Sequence, residues 1–341
     1  MPPLPVVKPL EPGFWDISTL VTGAVLTLLN TILFAYAAVH HQYPPLRAKN
    51  MRLISLLWLC TVIWYIGIIG TNFNLSHLFG SKTSYCTVFG LWFRILFGVF
   101  AFIFIHIMRL YVYIRIFLKA RRVTYRVYVT ATVFYALIIL IYGVPMSILS
   151  RTLTVKFVQP LQTCIYGRLF IELSFSVVWA GWAGIVTMAY KARKINTSFR
   201  EYHEMLLIVI LCTIAVLYET ISQHIYLKYT LHQWSRVVST VAEYLACQSS
   251  LVILLGVPVY NCIFHREEYK RKFFRKMRED GMSSRYGLTL QLSNTTELSS
   301  FARAGAAVPP PAHTAATVPP AITHDTAALP YSIPHAATGR V

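Results

Sequence analysis

The chain contains 341 residues, of which 56% are apolar and only 13% are charged, and its formal net charge is +18. Soluble domains carry about 25% charged residues, so this composition excludes an ordinary soluble enzyme. The same figures exclude a collagen-like, a disulfide-scaffold and a wholly disordered chain. The basic residues lie in short segments between apolar blocks, which membrane topology explains better than nucleic-acid binding. We therefore predict a protein of the lipid bilayer with no nucleic-acid partner.

Seven apolar blocks follow one another along the chain, and each is long enough to cross a hydrocarbon layer of about 30 Å as a helix. They are Ser18–His40, Leu53–Phe73, Val88–Tyr113, Val127–Leu149, Leu169–Tyr190, Met205–Tyr226 and Val237–Tyr260. The first block lacks a preceding basic segment and is longer than the apolar part of a signal peptide, so we interpret it as a span. The predicted fold class is an all-α membrane protein with a seven-helix transmembrane bundle over residues 18–260 and an extracellular N-terminus over residues 1–17.

The basic residues concentrate in alternate connections and after the seventh block, which predicts that these segments are cytoplasmic and that the N-terminus is outside. Cys86 and Cys164 then lie on the oxidising side, where a disulfide can form. Two separate free thiols are the alternative. Asn74 begins the sequence Asn-Leu-Ser in an outer connection, which makes it a candidate glycosylation site.

The segment after the seventh block is strongly basic, with large apolar residues at helical spacing. We predict an amphipathic interfacial helix over residues 261–281, lying in the headgroup layer with its cations on anionic lipid. Cys262 at its start is a candidate for lipidation, and a reduced thiol facing lipid is the alternative. Residues 282–341 are rich first in Ser and Thr and then in Ala and Pro, which predicts a disordered cytoplasmic tail.

Motifs for catalysis and cofactor binding are absent from the sequence. It contains no HExxH, no GxGxxG opening a helix, no phosphate loop and no GxSxG, and the seventh block has no lysine for a retinal Schiff base. We therefore expect no enzymatic activity, no cofactor and no metal site.

The topology, the outer cysteine pair and the basic helix after the seventh span together resemble a G-protein-coupled receptor. A closer resemblance is to the membrane half of fungal receptors that carry a regulator-of-G-protein-signalling domain. It lies within Phe14–Arg122, in the segments FWDISTL and YPPLRAKNMRLISL and in the third span from YCTVFGLWFR to IHIMRLYVYIR. The third span ends in Met108-Arg109-Leu110-Tyr111 instead of the acidic-Arg-Tyr triplet of rhodopsin-like receptors. Residues 282–341 are too short for the regulator domain, so we expect that domain to be absent here.

Ionisable residues inside the spans are costly and are therefore candidates for function. By position along their helices, four of them share one layer in the outer third of the bilayer, and five polar or aromatic residues lie at similar depth. The predicted ligand-binding residues are Arg94, Glu172, Glu219 and Glu243, with Trp92, Trp179, Tyr218, Tyr244 and Gln248 as wall residues. The alternative is that Arg94 pairs with one glutamate to fasten helices and that Glu172 reaches the interface.

This layer holds three glutamates and one arginine, so a cationic or strongly hydrogen-bonding extracellular ligand fits it better than an anion. We expect Arg94 to bridge to Glu243, because the third span is central and neighbours the seventh in such a bundle. Carboxylates without a cation in this layer are either protonated, because burial disfavours the charged form, or available to a cation, and Glu219 is then the carboxylate left to meet the ligand.

The resemblance implies a plasma-membrane receptor that passes a ligand signal to a heterotrimeric G protein. The predicted coupling surface consists of basic residues at the cytoplasmic end: Arg109, Arg115, Lys119, Arg121, Arg122, Lys191, Arg193 and Lys194. A small-molecule transporter or channel is the alternative, although the odd number of spans and the lack of an internal repeat count against it. An intramembrane hydrolase is a third interpretation.

Overall fold

A computed structural model describes residues 13–71, 84–117, 123–150, 153–158, 163–193, 201–225 and 233–279. Seven of the described helices are long and apolar enough to cross a membrane, and we name them spans 1 to 7. They are Phe14–Val39, Met51–Thr71, Thr87–Ile116, Tyr125–Ile148, Arg168–Ala192, Tyr202–Ile225 and Val237–Phe264. The predicted all-α seven-span class is confirmed.

The helix boundaries differ from the predicted blocks mainly at the two ends of the chain. Span 1 begins at Phe14, so the last residues of the predicted extracellular segment are helical, and their apolar side chains continue the span. The helix of span 7 runs from Gln233 to Phe264, beyond the predicted end at Tyr260, although it contains Pro258. Most of the predicted N-terminal segment and the predicted tail over residues 282–341 lie outside the described residues.

Span 3 begins as the short helix Ser84–Cys86, continues as a π-helix over Thr87–Phe100 and ends as an α-helix over Ala101–Phe117. Span 4 contains Tyr125–Ile138, a shorter π-helical segment Ile139–Gly143, and Val144–Ile148. In a π-helix the hydrogen bonds join residues five apart, and such segments occur often at functional sites. The two π-helical segments meet where Gly143 faces Leu96, since a Cβ on Gly143 would lie 2.6 Å from the Leu96 side chain.

The spans differ in how much of their surface the protein itself buries. Spans 2, 3 and 7 are the most buried, whereas spans 1 and 4 expose most of their apolar side chains, including Ile141 and Ile148. In a bilayer these exposed side chains contact lipid. Spans 2 and 3 approach closely at Gly67, where a Cβ would lie 2.6 Å from the backbone nitrogen of Arg94. Small residues permit such close helix contacts in membranes.

A two-stranded antiparallel hairpin, which the sequence analysis did not predict, lies between spans 4 and 5. Its strands are Val155–Val158 and Thr163–Tyr166, with Phe157 opposite Cys164. Cys164 forms a disulfide with Cys86 at the start of span 3. We name this end of the bundle the disulfide end, and the other end, where spans 2, 4 and 6 begin, the opposite end.

At the opposite end, the short helix Pro44–Ala48 connects spans 1 and 2, and the basic helix Arg266–Glu279 follows span 7. The predicted helix is therefore present, although it starts later because span 7 is longer. Cys262 lies within span 7 and is 4% exposed. Lipidation of Cys262 would therefore require the thiol to become accessible.

Candidate functional site

A buried ion pair joins spans 3 and 7 near the disulfide end. The Arg94 guanidinium donates through Nη2 to Oε1 of Glu243 and through Nε to Oε2 at 3.3 Å. Trp64 in span 2 donates its indole N–H to the same Oε2 at 3.0 Å. The side chains of Arg94 and Glu243 are only 13% and 9% exposed. Glu243 is thus neutralised by a bidentate cation and held by a third donor.

The remaining terminal nitrogen of Arg94 connects this pair to the hairpin. Arg94 Nη1 donates to the Tyr166 hydroxyl at 3.2 Å and to Thr71 Oγ1 at 3.4 Å. Tyr166 ends the second strand, and its ring stacks on Phe170 at the start of span 5 with centroids 5.5 Å apart. One guanidinium therefore links spans 2, 3 and 7 to the disulfide-bonded hairpin.

Glu219 in span 6 lies beside this network without a bound cation. It accepts a hydrogen bond from Ser239 in span 7 and another from Gln223 one turn along its own helix. Among the described residues, no Lys or Arg forms an ion pair with Glu219, whereas Arg94 is committed to Glu243. Arg94, Glu243 and Glu219 together carry a formal excess of one negative charge.

A cavity of about 130 Å³ opens beside these charges, between spans 2, 3, 5, 6 and 7 and the hairpin. Its polar lining includes Arg94, Glu219, Gln223 and Glu243. The rest of the wall is mainly apolar, with six aromatic residues: Trp64, Phe102, Tyr166, Phe170, Phe175 and Trp182. An apolar pocket with a few convergent polar groups is typical of a small-molecule site.

Three of the nine predicted ligand residues, Arg94, Glu219 and Glu243, line this cavity, and the predicted Arg94–Glu243 pair is present. Glu172 does not line it. Its side chain is 48% exposed, forms an ion pair with Arg168 at 3.4 Å and lies 3.7 Å from the His224 imidazole. The predicted excess of two negative charges in the layer is therefore reduced to one at the cavity.

The five predicted wall residues also lie outside the lining. Trp92 donates to Ser147 in span 4 at 3.1 Å, and Trp179 donates to Thr220 in span 6 at 3.1 Å. Tyr244 packs its ring against Gly23 of span 1. Gln248 forms hydrogen bonds with Asn30 and Thr27 of span 1. Tyr218 also lies outside the lining of the cavity. Position along a span gives depth, but helix rotation decides whether a side chain faces the cavity.

The cavity is also lined by four residues that were not predicted from the sequence: Trp64, Tyr166, Trp182 and Gln223. Gln223 could have been found, because it lies four residues after Glu219 and such residues share a helix face. Tyr166 depends on the hairpin, which was not predicted. Trp64 and Trp182 resemble the other apolar residues of their spans in the sequence.

The predicted coupling residues lie at the opposite end where they are described. Arg109 is 8% exposed, Arg115 donates to the Tyr111 hydroxyl at 2.9 Å, and Lys191 is exposed. The guanidinium of Arg193 lies 3.7 Å from the centre of the Tyr190 ring. Four other predicted coupling residues (Lys119, Arg121, Arg122 and Lys194) and the glycosylation candidate Asn74 lie outside the described residues.

A second buried ion pair occurs at the opposite end, between Lys49 after the short helix and Glu204 near the start of span 6. Next to it, Asn50 adopts a positive φ of 55° and donates to the Tyr128 hydroxyl of span 4 at 2.8 Å. Tyr43 donates to the backbone carbonyl of Arg266 at 3.0 Å. Burial raises the pKa of the Tyr43 phenol to about 12, so it stays a neutral donor at neutral pH.

No protein-family model matches this chain, and no curated protein matches it. Within the described ranges, no group of three or more His, Cys, Asp or Glu side chains is arranged to hold a metal ion. The candidate site is therefore interpreted from its own geometry.

Proposed function

We propose that this protein is a G-protein-coupled receptor of the plasma membrane that binds an extracellular ligand in the cavity beside Arg94. The observation that carries the proposal is an apolar cavity near the disulfide end of a seven-span bundle, with charged residues from spans 3, 6 and 7 converging on it. The disulfide favours an oxidising compartment for this end, in agreement with the basic segments at the other.

The mechanism requires no catalytic residue and no cofactor, and we propose no enzymatic activity. The cavity contacts five spans and the hairpin, so a ligand there interacts with elements that must shift relative to one another when the bundle changes shape. A ligand that binds one helix arrangement more tightly than another increases the population of that arrangement. The heterotrimeric G protein would bind the arrangement favoured by the ligand, at the basic opposite end.

The test is nucleotide exchange by a purified G-protein heterotrimer on vesicles that contain the purified protein. We expect exchange above the rate on protein-free vesicles. Arg121→Glu with Arg122→Glu should lower this rate toward that of protein-free vesicles. The matched control is Lys156→Glu with Arg168→Glu, which reverses two exposed charges at the disulfide end and should leave exchange unchanged.

Two outcomes would contradict the proposal. The first is exchange that never exceeds the rate on protein-free vesicles, and the second is equal loss in the two charge-reversed proteins. Flux of small solutes through the same vesicles would instead indicate the alternative transporter or channel function.

A further inference from the structure

We propose that the ligand of this cavity is a compact monocation, with an ammonium group bound to Glu219 and a body of about one ring packed against the apolar wall. The inference rests on the proposed function, because it names the ligand class of the same cavity.

The positive charge of Arg94 is already committed, which argues against an anionic ligand. Its Nε and Nη2 bind the two oxygens of Glu243, and its Nη1 binds Tyr166 and Thr71. An entering carboxylate would have to displace Glu243 from a bidentate contact and would add a second uncompensated charge to the cluster. Stranding a buried carboxylate in this way is strongly unfavourable.

Glu219 is the carboxylate that remains available to a cation. Glu243 contacts Arg94 and Trp64, whereas the described partners of Glu219 are the neutral side chains of Ser239 and Gln223. An ammonium group brings three donors and one positive charge. Its binding would neutralise the formal excess of the cluster, and hydrogen bonds between charged groups are about twice as strong as neutral ones.

In the rest of the wall, the polar groups of Trp182 and Ser174 already form hydrogen bonds within the protein. The Trp182 indole N–H donates to Thr213 at 2.9 Å, and Ser174 bonds to the Tyr142 hydroxyl at 2.6 Å and to the Phe170 carbonyl at 2.7 Å. A polar ligand body would therefore lose hydrogen bonds to water without gaining new ones here. An apolar body loses none, and nearby aromatic rings also attract a cation.

The volume limits the body to about one ring. The cavity measures about 130 Å³, and an apolar cavity of about 150 Å³ in another protein binds benzene. 2-Phenylethylammonium has this form, with one aromatic ring and one ammonium. 2-Phenylethanol is its neutral counterpart and phenylacetate its anionic counterpart.

The test measures thermal stabilisation of the purified full chain by these three compounds, since a ligand of the native state raises apparent stability. We expect 2-phenylethylammonium to stabilise the protein at a concentration about tenfold or more below that needed for 2-phenylethanol. Phenylacetate should give no shift. Glu219→Gln should remove the advantage of the ammonium, whereas Glu172→Gln, which alters a glutamate outside the cavity, should preserve it.

A second measurement uses the wild-type chain, so it does not depend on the folding of a variant. The Cys212 side chain is only 3% exposed and lines the cavity, so the small reagent methyl methanethiosulfonate must enter the cavity to modify its thiol, and the modification is followed by peptide mass spectrometry. We expect 2-phenylethylammonium to slow this modification and phenylacetate to leave it unchanged, with Cys212→Ala as the control for assignment of the peptide.

The inference is overturned if 2-phenylethanol or phenylacetate matches the ammonium in wild-type protein, if no compound shifts unfolding, or if Glu219→Gln retains the preference. Unchanged Cys212 modification in the presence of the ammonium would also overturn it. These measurements involve no G protein. Binding without nucleotide exchange would contradict the proposed function alone, and exchange without binding would contradict only the ligand class.

Discussion

Among the residues that the structure describes, two buried ion pairs are alike in burial and differ in their surroundings. Arg94–Glu243 near the disulfide end and Lys49–Glu204 at the opposite end each join two segments far apart in sequence, and all four side chains are at most 13% exposed. The Arg94 pair borders a cavity and a further carboxylate, Glu219. Neither Lys49 nor Glu204 lines that cavity.

The comparison shows that burial of an ion pair does not by itself indicate a binding site. Buried pairs also fasten segments together, because removing one partner leaves the other without compensation. Space and surplus charge distinguish the Arg94 pair, since a ligand could enter there and supply the missing charge. Variants of the two pairs should therefore differ in their effects on ligand binding even where both lower stability.

The largest loss of stability is expected for Arg94→Ala. The substitution leaves Glu243 buried without its cation and removes the bonds to Tyr166 and Thr71, so the free energy of unfolding should fall by about 3–5 kcal/mol. Denaturant unfolding in detergent measures this. Arg168→Ala is the matched control, because Arg168 is 86% exposed, and it should change stability by less than about 0.5 kcal/mol. Equal effects of the two variants would contradict the structural role of Arg94.

Loss of the disulfide should have the next largest effect. Cys86 and Cys164 are 78 residues apart, and Cys86→Ser should reduce stability by about 2–4 kcal/mol. The further replacement Cys164→Ser should do little additional harm. Mass spectrometry of the non-reduced protein provides the direct check, and free thiols at both positions would refute the bridge.

Cys86→Ser also tests which of the two ion pairs is coupled energetically to the disulfide. The hairpin reaches Arg94 through Tyr166, so Cys86→Ser and Arg94→Ala share contacts and their combined effect should be less than the sum. Cys86→Ser and Lys49→Ala lie at different ends of the bundle and should be additive within about 0.5 kcal/mol. Additivity of both pairs of substitutions would show that the hairpin and the Arg94 pair are not coupled.

A smaller loss is expected for Lys49→Ala, because Lys49 donates one hydrogen bond to Glu204, whereas Arg94 makes a bidentate contact with Glu243 and also binds Tyr166 and Thr71. We expect a reduction of about 1–3 kcal/mol in unfolding free energy and unchanged binding of 2-phenylethylammonium. The charge exchange Lys49→Glu with Glu204→Lys should restore part of the stability. Weakened binding of 2-phenylethylammonium to Lys49→Ala would contradict the claim that only the Arg94 pair belongs to the binding site.

Much of the fold could be predicted from the sequence, because uninterrupted apolar blocks of spanning length satisfy their backbone hydrogen bonds in a bilayer as transmembrane helices. The hairpin strands have four residues each and carry no pattern strong enough to predict them. The π-helical segments were missed for a different reason, since their side chains are as apolar as those of an α-helical span. Lys49–Glu204 joins a connecting loop to span 6 and depends on tertiary packing.

The candidate site could be predicted in part, because a charge inside a span must find a partner and Arg94 had few glutamates at its depth. Depth along the spans does not by itself distinguish Glu172, Glu219 and Glu243, and the expected Arg94–Glu243 pair came from the order of the spans in such a bundle. Helix rotation separates them in the structure: Glu243 binds Arg94, Glu219 faces the cavity, and Glu172 contacts Arg168. One substitution at each position tests that separation.

The smallest change in stability is expected for Glu219→Gln. Gln has nearly the shape of Glu and retains an oxygen that can accept from Ser239, while the surplus negative charge is removed, so the free energy of unfolding should change by less than about 0.5 kcal/mol. Glu243→Gln removes a charge of the same sign but strands the Arg94 guanidinium, and it should cost about 3 kcal/mol or more. Glu172→Gln should resemble Glu219→Gln in stability and differ from it in preserving ammonium binding. Unfolding of the three variants under one set of conditions measures the contrast. If Glu219→Gln proved as damaging as Glu243→Gln, Glu219 would be a structural partner of Arg94 instead of the free carboxylate of the cavity.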